Sequence, residues 1–308
     1  MTALSTGRRP ARRRGGSAPF VLVAPAVVLL VTFLLVPIGY TVYLSLRAAR
    51  VTGGGFGRRV EQFVGLENYR GVLTDSAYLD GVVRMLGYGA VVVPVMLGLA
   101  LLFALLLDTP RVRLARTTRI GIFLPYAVPG VIASLLWGFL YLPGLSPIRS
   151  VLTSVNLPAP DFLGPSTVFF SVANIGVWGG VGFNMIVLFT ALRGIPGEMY
   201  DAARVDGASE IQIALRVKIP LITPALVMTA IFSIIATLQV FSEPATLQPM
   251  SDSIPSTWVP LMTIYRDAFV NSDIHTAAAA SVVLALGTLA LSIGVLTLLQ
   301  RRAFRSDQ

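Results

Sequence analysis

The sequence has no cysteine, one lysine, one histidine and few charged residues. The absence of cysteine excludes disulfide scaffolds, thiolate metal sites and cysteine nucleophiles. The lysine, Lys218, follows Val217, so the Gly-Lys-Ser/Thr sequence of a phosphate-binding P-loop is absent, and any ATP must be bound by another chain. The histidine, His275, cannot form a histidine-pair metal site alone, and no Gly-x-Ser-x-Gly turn is present. Most hydrolase chemistry is thereby excluded.

Apolar residues are abundant: they make up 55% of the 308 residues, the mean hydropathy is +0.76, and charged residues account for 13%. Soluble domains carry about 25% charged residues. A transmembrane helix needs about 20 mostly apolar residues. Six stretches without Asp, Glu, Lys, Arg or His are long enough, and the next longest, 253–265, has only 13 residues. The six stretches are 15–46, 85–107, 120–148, 162–192, 219–242 and 276–300.

These stretches predict an all-α integral membrane protein with six transmembrane helices over residues 18–302. A basic tail, 1–17, precedes the six-span region and a short tail, 303–308, follows it. The apolar run that begins near Phe20 continues through Leu46, which is longer than the core of a cleavable signal peptide. We therefore expect it to be retained as the first span. The predicted spans are about 20–46, 85–107, 120–142, 167–192, 219–242 and 276–300.

The distribution of Lys and Arg predicts the orientation. An even number of spans places both termini on one side, and that side would carry sixteen Lys and Arg residues against seven on the other. Since cytoplasmic loops are enriched in these residues, we expect both termini in the cytoplasm. The first loop is basic as well, which departs from the rule. The net charge of +9 is explained by contacts with anionic lipid rather than nucleic acid, because the arginines flank the spans.

The loop between the fourth and fifth spans, 194–218, carries the most informative pattern. Pro196 suits the first turn of a helix, and Gly207 suits the left-handed residue that ends one. Ser209 and Gln212 have the spacing of a capping box, which starts a second helix. The sequence therefore predicts helix, glycine turn, helix. Ala202 and Ala203 would permit close approach of a partner, so the loop is either a docking surface or an ordinary solvated segment.

The loop resembles the EAA loop of the permease subunits of bacterial ABC importers. The matching residues are Asp201-Ala202-Ala203, then Asp206-Gly207-Ala208, then Val217-Lys218-Ile219-Pro220. Asp201 replaces the usual glutamate, and Ala214 stands where the pattern often has an aromatic residue. Three further stretches, 20–25, 63–69 and 119–126, are similar to sugar-type permeases related to the larger permease of maltose transporters.

The resemblance implies a bacterial plasma-membrane importer. Two permease subunits would form the pathway, this chain pairing with a distinct second one, and two ATPase subunits would bind ATP and Mg. An extracytoplasmic binding protein would deliver a carbohydrate or a similar polar solute. The short helix of the EAA loop would sit in a groove of the ATPase and couple its closure to alternating access. The coupling residues implied are Glu198, Asp201, Ala202, Ala203, Asp206, Gly207 and Ala208.

Polar residues within the later spans are candidates for the solute pathway, although hydrogen bonds between helices are the usual role of such residues. These candidates are Asn174, Trp178 and Asn184 in the fourth span and Ser233, Thr237 and Gln239 in the fifth. Trp137 and Trp258 are expected to be interfacial anchors.

Three other classes remain as alternatives. A secondary transporter would normally bury ionisable residues in its spans, and the six stretches have none. A membrane enzyme would need a catalytic cluster, for which only carboxylates remain. A single-chain channel would leave the EAA-like loop without a purpose.

Overall fold

The computed structural model describes residues 18–51, 59–109 and 115–303. The predicted tail 1–17 and nearly all of 303–308 lie outside this part. The first span, Phe20–Ser45, consists of α1 (Ala18–Leu30) and α2 (Val36–Ser45), joined by a π-helical turn. None of its most apolar window is buried within the chain, as expected for a helix that faces lipid or another subunit.

A small β-hairpin follows the first span, in a loop for which the sequence predicted no regular structure. Strand β1 (Arg47–Val51) pairs antiparallel with β2 (Arg59–Phe63), with Arg47 opposite Phe63. After the hairpin, the amide of Asn68 donates to the carbonyls of Ser45 and Arg47 at 2.8 and 2.7 Å. These bonds fasten the start of α3 (Glu67–Thr74) to the end of the first span.

The second span, α4 (Ser76–Leu107), begins earlier than the predicted start at residue 85. Asp75 caps it, its side chain accepting a hydrogen bond from the amide of Ala77 at 3.0 Å. The charge-free criterion stopped at Arg84, but the helix passes through this residue because its guanidinium is satisfied. Arg84 donates to the carbonyl of Trp258 at 2.7 Å and lies 5.6 Å from the centre of its ring.

The third span, expected over 120–142, is broken. Helix α5 (Ala115–Phe123) continues into a 3₁₀ turn, Leu124–Ala127, and the segment Arg116–Ala127 meets α6 (Gly130–Tyr141) at an angle of 98°. Pro125 and Pro129 explain the break, since proline removes a backbone donor and disfavours helical geometry in the residue before it. The 12 residues of α6 extend about 18 Å, which is too short to cross the hydrocarbon core without α5.

The remaining helices complete the bundle. They are α7 (Pro147–Ser154), α8 (Val168–Arg193), α9 (Gly197–Val205), α10 (Glu210–Ile213), α11 (Ile219–Leu221), α12 (Thr223–Leu238), α13 (Ser242–Leu247), α14 (Pro260–Tyr265) and α15 (Ile274–Ala303). Within the described part of the chain, five helices are long and apolar enough to cross a membrane, and the bent pair makes six if it counts as one span. The protein is therefore an all-α membrane protein apart from the hairpin.

The centre of the bundle is the contact between α4 and α8. Gly176 and Gly180 of α8 face Tyr88 and Met96 of α4, and a Cβ atom on either glycine would overlap the opposite side chain. Small residues spaced four apart allow such close approach of membrane helices. Trp258 packs in the same core and is only 2% exposed, so it is not the interfacial anchor expected from the sequence.

Candidate functional site

The loop 194–218 has a helix that ends in a Schellman motif. Helix α9 begins after Pro196, and Gly207 follows it with a positive φ of 82°. The amide of Ala208 donates to the carbonyl of Ala203, and the amide of Gly207 to that of Arg204, both at 3.0 Å. This pair of bonds requires a left-handed residue at the turn, which glycine adopts without steric cost. The glycine therefore determines the direction in which the chain leaves α9.

A complete capping box starts the second helix, α10. The hydroxyl of Ser209 accepts from the amide of Gln212 at 3.3 Å, and the amide of Ser209 donates to the side chain of Gln212 at 2.8 Å. The helical path continues through a π-helical turn, Ala214–Lys218, into α11. The arrangement is thus helix, glycine turn and helix, with the second helix leading back to the membrane spans.

The surface of this loop is exposed and partly apolar. No residue of α9 is buried. Of the seven coupling candidates, Glu198, Asp201, Ala202, Asp206 and Gly207 are exposed, and Ala203 and Ala208 are half-buried. Four apolar side chains that the sequence analysis did not single out are also exposed on the same loop: Met199, Val205, Ile211 and Leu215. We call these four residues the loop apolar patch. Large apolar side chains exposed on a loop between spans are available for contacts with another protein.

Arg204 links the two helices of the loop. Its guanidinium bonds to Asp201 at 3.0 Å and to Glu210 at 3.1 Å. The hydrogen bond that Arg204 donates to Glu210 is the largest of the effects that raise the pKa of Arg204 above its usual value. Asp201 is consequently occupied within the loop, whereas Glu198 and Asp206 have no ion pair in the described part of the chain and remain available to a basic partner.

A buried ion pair anchors the loop to the bundle, and the sequence analysis missed it. The ammonium of Lys218 lies 2.6 Å from the carboxylate of Asp108 at the end of α4, with side chains 9% and 4% exposed. The same ammonium lies 4.9 Å from the ring centre of Tyr200 on α9, whose hydroxyl donates to the carbonyl of Leu192. Burial raises the pKa of Tyr200, so its hydroxyl stays protonated as a donor. Both ends of the loop are therefore tied to the spans.

The second candidate site is a cavity of about 560 Å³ between α4, α8 and α12. Four of the six predicted pathway residues line it: Asn184, Ser233, Thr237 and Gln239. The hydroxyl of Ser233 donates to the side-chain oxygen of Asn184 at 3.3 Å, and the amide of Asn184 donates to the carbonyl of Gly180. The polar side chains thus connect helices and also face an open volume.

The other two predicted pathway residues lie elsewhere, between α6 and α8. The amide of Asn174 donates to the hydroxyl of Tyr141 at 2.9 Å. The ring of Trp178 lies 5.8 Å from that of Trp137 in an edge-to-face arrangement. Trp178 packs against the core and Asn174 is held by this hydrogen bond, and neither side chain lines the cavity.

Aromatic residues and one acid, which were not among the predicted pathway residues, complete the cavity wall. Tyr126 and Phe183 stack with their ring centres 4.9 Å apart, and Phe232 lies on the α12 side. Glu243, in the first turn of α13, is the acid. Aromatic faces next to amide and hydroxyl groups suit a polyhydroxyl ring, which has apolar faces and polar edges.

Comparisons with known proteins agree with this architecture. Residues 71–305 match the family described as the binding-protein-dependent transport system inner membrane component. The chain is 33% identical over 279 residues to the sn-glycerol-3-phosphate transport system permease protein UgpA of Salmonella typhimurium, covering 89% of this chain and 91% of the relative. The UgpA protein of Escherichia coli O157:H7 is 30% identical over the same length.

Solved structures show the same fold. A chain of the bacterial ABC transporter that imports the acidic polysaccharide alginate superposes with a TM-score of 0.79 at 19% identity, covering 92% of this chain and 95% of the other. The alginate transporter in complex with its pentasaccharide-bound periplasmic protein gives a TM-score of 0.81. A chain of the MetNI methionine ABC transporter gives 0.56 and covers 76% of this chain.

Proposed function

The chain belongs to the family of binding-protein-dependent transport system inner membrane components, and from that membership we propose how its loop and cavity serve transport. It is a multi-pass inner-membrane permease subunit of an ABC importer. The proposal is that the loop 194–218 couples this permease to an ATPase and that the cavity between α4, α8 and α12 carries a carbohydrate or a similar polar solute.

The exposed loop is the observation that carries the coupling proposal. The loop apolar patch and the free carboxylates of Glu198 and Asp206 offer a contact surface, while Ala202 allows close approach. The buried pair of Lys218 and Asp108 would transmit movement of the docked loop to α4, which lines the cavity. Closure of an ATPase dimer with ATP and Mg would thereby change the access of the cavity.

The partners proposed are an ATPase dimer, a second and distinct permease subunit, and an extracytoplasmic solute-binding protein. The last of these partners is supported by the alginate transporter named above, which was solved together with a periplasmic protein. With the loop 194–218 facing the ATPase, both termini of a six-span chain lie in the cytoplasm. The excess of Lys and Arg on that side supports the same orientation.

The test is to purify the complex in mild detergent and identify the bound proteins by mass spectrometry, comparing Gly207→Asp with Gly71→Asp. Gly207 needs its positive φ, whereas Gly71 lies in α3 with open space around it and an ordinary backbone. We expect the first variant to lose the ATPase and the second to keep it. Equal recovery of the ATPase from both variants would contradict the proposal.

A further inference from the structure

Glu243 gives the cavity a carboxyl group that no described basic residue pairs with. Among the described residues that line the cavity, it is the one Asp, Glu, Lys, Arg or His side chain. No ion pair of Glu243 is found in the described part of the chain, where its recorded hydrogen bond is with its own backbone. An isolated carboxylate within a membrane protein is costly and usually marks a functional position.

The basic residue that lines the adjoining cavity already has an acidic partner. Arg266 lines an adjoining cavity that shares Phe241 and Ser242 with this one. Its guanidinium lies 2.8 Å from Asp267, and a second nitrogen lies 3.0 Å from the same carboxylate oxygen. Arg266 is thus neutralised by its neighbour, and the carboxylate of Glu243 is left to act on whatever enters the cavity.

We propose that the cavity accepts a neutral or cationic polyhydroxyl solute and disfavours phosphates and carboxylates. The carboxylate of Glu243 accepts hydrogen bonds from solute hydroxyl or ammonium groups, and the amides of Asn184 and Gln239 provide both donors and acceptors. This inference rests on the proposed function of the cavity. It separates the chain from two proteins that it resembles, whose names specify glycerol 3-phosphate and an acidic polysaccharide.

The effect of Glu243 on the potential in the cavity can be tested without knowing the solute. Because the chain has no cysteine, a cysteine introduced into the cavity can serve as a probe of that potential. Ala236 lines the cavity and is exposed, so Ala236→Cys gives this chain one thiol, whose modification is read on this chain by mass spectrometry. Its modification rate in the assembled complex is measured with a cationic and an anionic methanethiosulfonate of similar size. The ratio of the two rates reports the local potential.

We expect the cationic reagent to be favoured, and Glu243→Gln to lower the ratio by about fivefold, as the loss of one nearby charge requires. A thiol at the exposed residue Ser154 on α7 is the control and should give the same ratio in both backgrounds. An unchanged ratio at Ala236→Cys would overturn the inference.

The solute part uses the binding protein that copurifies with the complex. Its bound solute is extracted, its charge is determined by mass spectrometry, and its uptake is measured in cells that express the whole importer. We expect a neutral or cationic solute, with uptake reduced by Glu243→Gln and not by Glu61→Gln on the exposed hairpin. An anionic solute, or uptake indifferent to Glu243→Gln, would overturn the inference. Uptake by Gly207→Asp separates the two proposals. If this variant loses uptake, the proposed transport function stands even when the inference about Glu243 fails. If it retains uptake, both the transport function and the inference are contradicted.

Discussion

Removing the positive charge of Lys218 is expected to destabilise the protein strongly. Lys218→Met leaves the carboxylate of Asp108 buried, with its side chain 4% exposed and its partner gone. Breaking a buried ion pair in this way costs about 3 to 5 kcal/mol, because the remaining charge is uncompensated. The double variant Asp108→Asn with Lys218→Met removes both charges and should recover most of the loss.

The protein provides a matched control for this prediction. Arg50 and Glu67 form an ion pair with the same separation of 2.6 Å, but their side chains are 51% and 60% exposed. Exposed pairs contribute about 0 to 1 kcal/mol, so Arg50→Met should have little effect. The two single variants therefore differ mainly in burial.

The assay is the thermal unfolding midpoint of the purified complex, followed by tryptophan fluorescence. The midpoint should fall by several degrees in Lys218→Met, stay close to that of the unsubstituted protein in Arg50→Met, and largely return in the double variant. Equal midpoints for Lys218→Met and Arg50→Met would contradict the stabilising role of the buried pair. A double variant with a midpoint below those of both Asp108→Asn and Lys218→Met would contradict it as well.

Three further predictions concern packing, docking and capping. Gly182→Ala places a Cβ against the backbone of α5 and should destabilise the fold by about 1 to 3 kcal/mol, measured as a lower thermal midpoint. The control, Gly179→Ala, places its Cβ in open space and should not lower the midpoint. Similar midpoints for the two variants would contradict the prediction. Val205→Ser on the loop apolar patch should weaken copurification of the ATPase without changing the thermal midpoint. The control, Val60→Ser on the hairpin, should leave both unchanged. Undiminished copurification in Val205→Ser would count against docking at the loop apolar patch. Ser209→Ala removes the capping box and should cost about 1 kcal/mol in free energy of unfolding; no measurable change would show that the cap is dispensable.

The sequence was sufficient where local rules determine the structure. The glycine turn at Gly207 and the capping box at Ser209 depend on residues within five positions of one another, and both are present in the structure. Apolar run length identified the regions of the spans for a similar reason, since the bilayer imposes one physical constraint on every helix. The cost of polar groups in such helices singled out six residues, of which Asn184, Ser233, Thr237 and Gln239 line the cavity; that any of them contacts solute stays a prediction.

The sequence was insufficient where distant residues neutralise one another. The charge-free stretch of the second span began only after Arg84, yet Arg84 lies within the helix because it donates to the carbonyl of Trp258, 174 positions away in sequence. The partners Lys218 and Asp108 are 110 positions apart. A signal for the second pair was present, because Lys218 is the only lysine in the chain and Asp108 closes a long apolar run. No sequence pattern, however, specifies which charges become neighbours after folding.

Site-specific photo-crosslinking in cells measures directly whether the loop 194–218 contacts an ATPase subunit. A photoreactive amino acid is placed at residue 205, which is 88% exposed on the loop 194–218, and in a separate strain at residue 60 on the hairpin. Captured proteins are identified by mass spectrometry. If the loop 194–218 docks on an ATPase, position 205 captures an ATPase subunit and position 60 does not. Capture of the ATPase from position 60, or its absence at position 205 in a complex that transports, would contradict this docking.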